Sequence, residues 1–250
     1  MSRNIFLISI LFAILVFSGC VQQLEGKENE SSNQPLANPV IDNIGIEIDF
    51  YDDKTNMAGD LRFDTFEYSW GGVYNTKVFY DYGETRHNED GTVDLEPQPI
   101  FIAPLGTKVH AITSGKVVAV KKLYSDDYTI QMVKDESPKW IYEHEHVINP
   151  LVSVGDYVTS GQIIAEVSNY SQWLREDGYG VLDIGILTSG NGTPMHHCPF
   201  IYINESFKQD ILEKITALYI SWEEYAGNTT LYDEDGSKMP GCIVTEPIAR

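Results

Sequence analysis

The chain has 250 residues, 42% of them hydrophobic and 12% aromatic, which allows one or two folded domains with a sizeable core. Its 37 Asp and Glu against 17 Lys and Arg give a formal charge of −20, and the isoelectric point is near 4.5. Such a charge repels nucleic acid and an anionic membrane face, and it favours solubility in a salty exterior.

Arg3 precedes an apolar run from Ile5 to Phe17 that is short for a bilayer span. The run ends in Phe17-Ser18-Gly19-Cys20, small residues directly before a cysteine. This resembles the lipobox of prokaryotic lipoproteins, which implies a signal peptide over 1–19, a lipid on Cys20 and an extracytoplasmic chain anchored to the membrane. Residues 20–39 are rich in Gln, Glu, Asn and Ser, bury little and read as a tether.

Residues 40–98 read as a β-rich preface and loop. Ile44, Ile46, Ile48 and Phe50 alternate, and an aromatic run follows: Phe63, Phe66, Tyr68, Trp70, Tyr74, Phe79, Tyr80 and Tyr82. Gly71-Gly72 splits that run as a hairpin would, and Gly83 to Pro99 reads as a long polar surface loop carrying His87, Asp90 and Asp94.

The central stretch contains one glycine-punctuated pattern twice, APLGTKVHAITSGKVVAV from Ala103 to Val120 and PLVSVGDYVTSGQIIAEV from Pro150 to Val167. Period-two alternation with glycines at the reversals predicts half-buried strands joined by tight turns. Between the copies, Trp140 to Val147 reads as a strand with Tyr142, His144 and His146 on one face and Glu143 and Glu145 on the other.

From about Pro99 to Leu187 the chain resembles the LytM or lysostaphin type of zinc metallopeptidase. The resemblance is carried by HVINPLVSVGDYVTSGQIIAEV, which follows the family's V-x-x-G-x-x-V-x-x-G-Q-x-I strand pair, and by PLGTKVHAITSGKV. It implies a mainly β fold with a duplicated hybrid-motif β-sandwich at 99–190; the N-terminal β extension and a C-terminal α-helix are read from the residues themselves and lie outside the family pattern. It places His146 on the family's catalytic histidine, with His144 beside it. Family members bind zinc through an H-x-x-x-D motif and through the second His of an H-x-H motif. Here Val181 and Asp183 stand at the H-x-H positions. His87 with Asp90 or Asp94 is the nearest substitute for H-x-x-x-D, so a surviving zinc site would use His87, Asp94 and Asp183 as ligands with His146 as base. Val181 cannot do acid–base chemistry. A lipoyl or biotinyl carrier shares the hybrid motif, but the chain has no matching exposed lysine.

Residues 191–250 form a C-terminal extension. Ser206 and Gln209 can make a capping box. Phe207, Ile211, Ile215, Leu218, Tyr219 and Trp222 recur at helical spacing, and Gly227 stands where a cap would end the helix. With Cys20 lipidated, Cys198 and Cys242 are an even pair in an oxidising compartment and predict a disulfide that stabilises by about 3–4 kcal/mol. A metal site at His196, His197 and Cys198 lacks the paired spacing of zinc ligands. N-x-S/T acceptors at Asn29, Asn169, Asn191, Asn204 and Asn228 lean towards a glycosylated surface protein. The expected function is a non-catalytic binding or scaffold module at the cell surface, with a cell-envelope protein or wall polymer as partner. The alternatives are a divergent zinc endopeptidase acting on wall peptides or surface proteins, and divalent-cation capture near Glu143, Glu145 and Asp183.

Overall fold

The computed structural model describes residues 37–250, apart from 67, 71–72, 76, 88–89, 136, 138 and 190–191. The expected signal peptide, Cys20, the tether up to residue 36, Asn29 and Asn191 lie outside the described residues. Among the described residues no helix is long and apolar enough to cross a membrane.

The chain is mainly β. Two short pairs open it, β1 (Met57–Ala58) with β2 (Leu61–Arg62) and β3 (Tyr68–Trp70) with β4 (Val73–Asn75), the second being the hairpin expected around 71–72. Then come β5 (Phe79–Tyr80), β6 (Thr85–His87), β7 (Val93–Leu95), β8 (Ile100–Pro104), β9 (Lys108–His110), β10 (Gly115–Lys122) and β11 (Tyr128–Val133). The remaining elements are β12 (Trp140–Ile148), β13 (Tyr157–Val158), β14 (Ile163–Val167), the short helix α1 (Gln172–Glu176), β15 (Tyr179–Ser189), β16 (Pro194–His197), α2 (Glu205–Ala226) and β17 (Ile248–Ala249).

An eleven-stranded sheet runs β13-β10-β11-β12-β15-β16-β17, with β14 on both β12 and β9, and β8 on both β15 and β5. The two copies of the repeated pattern interlock here. β10 of the first pairs with β13 of the second through Gly115 and Val158, and β9 pairs with β14 through His110 and Ile163. Each copy therefore supplies the neighbour that the other's strands need for their backbone hydrogen bonds. β16 and β17, from the C-terminal extension, continue the same sheet beyond β15.

Three local expectations are corrected. Ile44, Ile46 and Ile48 are buried, but they lie in an irregular segment that bends at Gly45 and has no ladder partner, and Phe50 is 56% exposed. Its apolar spacing reports burial rather than sheet pairing. The stretch 83–99 is not simply a surface loop: it holds the β6–β7 hairpin, and Glu96 to Pro99 are buried. The long helix is capped by Asn204, whose side chain accepts from the Ser206 N–H, rather than by a Ser206–Gln209 box.

α2 buries Ile215, Leu218, Tyr219 and Trp222, while Phe207, in its first turn, is 48% exposed. Gly227 ends the helix in the left-handed conformation, as the sequence predicts. Trp222 packs edge-on to Phe63 at 4.8 Å, and Tyr219 stacks on Tyr232 at 4.2 Å. The Cys198–Cys242 disulfide is present, with Cα atoms 6.1 Å apart, and holds the C-terminal segment beside β5, where Tyr82 bridges Cys242.

Candidate functional site

The site is built on the faces of β11, β12 and β15. Thr129 and Gln131 of β11 both donate to Glu143 Oε1, at 3.0 and 2.6 Å, so the odd-numbered residues of these two strands share a face. Across the next pairing Glu145 stands opposite Asp183 and Glu143 opposite Gly185, which puts Asp183 on the same face.

Strict alternation would turn His146 away from these acids. Instead the register slips. Tyr128 pairs with Val147 and Ile130 with His144, so Thr129 alone faces two residues, Glu145 and His146. His146 takes φ 56°, the left-handed conformation that is unusual outside glycine, in a β-bulge. The bulge rotates its imidazole onto the acidic face, where Nδ1–H donates to Asp127 Oδ2 at 2.8 Å. The expectation that His144 and His146 share one face is therefore corrected. His144 points the other way into the core, is fully buried, and accepts the Ile112 N–H on Nε2 at 3.1 Å. Burial pushes its pKa down to about 4, so it is a neutral packing residue.

His146 and Asp127 form an ion pair. Burial alone would depress the imidazole. The hydrogen bond to Asp127 and the charges of Asp183, Asp127 and Glu145 outweigh it and raise His146 above its ordinary value. Burial would likewise raise Asp127, but hydrogen bonds from His146, Ser125 and Ser168 hold it below the usual carboxylate range. Tyr170 stacks on the imidazole, with ring centroids 4.1 Å apart.

Asp183 is 4% exposed, and its Oδ1 has no hydrogen-bond partner among the described residues. Burial raises its pKa well above the ordinary value, the neighbouring Glu96 and Glu145 raise it further, and His146 and Arg250 oppose the shift. Burial also carries Glu96 up to about 7 against the charges of Arg250 and Arg86. Glu143 is raised by burial and then by Glu145. Arg250 brings permanent positive charge to the cluster, its Nη1 lying 3.5 Å from Glu145 Oε2 and 3.4 Å from Gln98 Oε1, and Arg86 Nη1 stands 4.0 Å from Glu96 Oε2.

Of the residues singled out from the sequence, the fold brings His146 and Asp183 into one cluster. His87 and Asp94 lie on the β6–β7 hairpin, both exposed, with Asp94 paired to Arg86 at 3.4 Å. Among the described residues no group of three or more His, Cys, Asp or Glu could hold a metal ion. A ligand pair spaced H-x-x-x-D and facing Asp183 would have to come from positions 96 and 100, because β8 pairs with β15 so that Ile100 stands opposite Asp183. Those positions hold Glu96 and Ile100. The spacing Glu96-x-x-x-Ile100, just ahead of the first glycine copy, was visible in the sequence; Asp127, Tyr170 and Arg250 carried no motif that marked them.

Residues 100–181 match peptidase family M23, a segment shorter than half the chain. Among solved structures, the catalytic domain of the antimicrobial peptidase lysostaphin from Staphylococcus simulans is similar at 25% identity over 44% of this chain and 79% of that one, with a TM-score of 0.36. LytU is similar at 22% identity over 50% and 82%, with a TM-score of 0.37. A putative glycyl-glycine endopeptidase LytM from Ruminococcus gnavus is similar at 17% over 41% and 43%, with a TM-score of 0.34. The match spans 43% of the longer lysostaphin structure. No curated protein matches the sequence.

Proposed function

We propose that the M23 peptidase-like domain of this chain is a non-catalytic binding or scaffold module, held outside the cytoplasm by a lipid on Cys20 and directed at a cell-envelope protein or wall polymer. One observation carries the reading. Two of the five positions from which zinc would be held or its water activated, Ile100 and Val181, are buried hydrocarbon, at 4% and 0% exposure.

The zinc fit fails on donor chemistry. A zinc site needs three or four N, O or S ligands in tetrahedral array. Glu96 and Asp183 are the acids left at those positions. Those two carboxylates fall short of that number, because Ile100 fills the remaining ligand position with hydrocarbon. Permanent positive charge at the cluster comes from Arg250 and Arg86. These side chains therefore support no hydrolytic step through a metal. The disulfide supports the extracytoplasmic part of the reading, since such bonds persist in oxidising compartments.

The test is elemental analysis of the purified protein before and after chelation, together with thermal unfolding in chelator. The proposal expects no stoichiometric metal and an unchanged midpoint. Near-stoichiometric zinc, lost in both Asp183→Ala and His146→Ala, would overturn it in favour of a divergent zinc endopeptidase acting on wall peptides or surface proteins.

A further inference from the structure

A second feature of the fold lies apart from the His146 cluster and shares none of its residues. A cavity of about 830 Å³ opens between the end of α2, the short helix α1 and the segment before β3. Its wall is aromatic: Phe66, Trp173, Trp222 and Tyr225 line it. Phe66 and Trp222 are buried and fixed by ring contacts, Trp222 at 5.8 Å from Phe66 and 5.6 Å from Tyr225. Trp173 is 56% exposed and Tyr225 40% exposed, so two aromatic faces meet solvent where burying them would be favourable.

The same cavity is negatively charged. Glu176 and Asp177 follow Trp173 at i+3 and i+4 and line it with Asp64. Asp64 pairs with Arg62 at 3.4 Å, but neither Glu176 nor Asp177 has a Lys or Arg partner among the described residues. The 22-residue α2 ends here with no basic residue in its last turn, so its terminal carbonyls add partial negative charge. The aromatic cluster already seats one cation: Arg62 lies 5.0 Å over the Tyr179 ring, which packs on Phe66 at 4.7 Å.

From these features we infer that the cavity binds an organic cation, an ammonium group carried on a small apolar body. Aromatic faces attract ammonium groups through their quadrupole, and carboxylates at the rim supply the charge. Hard divalent ions are disfavoured, because they require a cage of oxygens that this wall does not provide. The volume falls in the range of small-molecule sites, roughly 300–1,000 Å³.

The experiment is a tryptophan-fluorescence and calorimetric titration of the purified full chain with tetramethylammonium and with n-butylammonium, against sodium at matched ionic strength. A saturable response to at least one ammonium ion and none to sodium is expected, and the better ligand identifies the head group. Trp173→Ala should weaken binding roughly tenfold, and Glu176→Gln with Asp177→Asn should weaken it several-fold. Trp173 is exposed, so that variant keeps the fold, which circular dichroism checks. Asp183→Ala should bind as the parent does, which separates this site from the one proposed above. A response no different from sodium's, or unchanged affinity in both sets of variants, would overturn the inference.

Discussion

His146 Nδ1 lies 2.8 Å from Asp127 Oδ2, and the two side chains are 7% and 2% exposed. Breaking a buried pair by removing one charge strands the other. Asp127→Asn should therefore cost about 3 kcal/mol near pH 6. The sign of its pH dependence follows from the two shifts. His146 is raised in the fold, so its contribution is complete below its unfolded value of about 6.5 and is lost as pH rises through the folded value. Asp127 is lowered, so its contribution is complete above about 3.9 and is lost as pH falls through the folded value. Denaturant unfolding of both proteins from pH 3 to 9 should show the largest difference between those limits; a flat difference would refute the pair.

Glu96 has the opposite consequence for an acid. Its folded pKa near 7 lies above the unfolded value, as does that of Asp81, which burial also lifts to about 7. The native state then holds protons that the unfolded chain has released, so stability falls as pH rises from about 4.5 to about 7. Glu96→Gln removes its share of that decline. The variant should gain about 3 kcal/mol over the parent at pH 8 and nothing at pH 4, read from unfolding midpoints at the two pH values.

Gly241 has φ 86°, and a Cβ there would meet Phe200 Cδ2 at 2.3 Å. Phe200 is itself fully buried, so the ring cannot give way cheaply. Gly241→Ala should destabilise by about 3 kcal/mol, combining left-handed strain with overpacking. Gly91 offers the control, since its φ is 82° but nothing lies within 4 Å of its Cβ position. Gly91→Ala should cost only about 1 kcal/mol, the backbone share.

Removing the Cys198–Cys242 bond, which links residues 44 apart, should cost about 3–4 kcal/mol. Paired Cys198→Ser and Cys242→Ser substitutions should match the effect of reductant on the parent. Thermal unfolding with and without reductant measures both, and a midpoint indifferent to reductant would show that the loop is held by its packing alone.

Much of the architecture was legible in the residues, because alternation and turn glycines are local properties of a strand. The two glycine-punctuated copies became strand pairs, the disulfide paired as expected, and α2 ended at Gly227. Where packing outweighed pattern the reading fell short. Ile44, Ile46 and Ile48 alternate as a strand would, yet they bury side chains without a ladder. Ser206 had the composition of a cap, and Asn204, two residues earlier, took the role.

The candidate site divides in the same way. The order of residues is enough to put Val181 and Asp183 two apart on one predicted strand, where the resemblance expects an H-x-H motif, and His146 ahead of the second glycine copy. Where His146 points is set by packing between strands. A bulge of one residue reverses a face, and it depends on how β11 registers against β12 rather than on any residue in β12 alone. The same holds for Ile100 opposite Asp183 and for Arg250 reaching Glu145 across 105 residues of chain. Contacts between residues so far apart leave no local periodicity to read, and it is they that set the charge and protonation of the cluster.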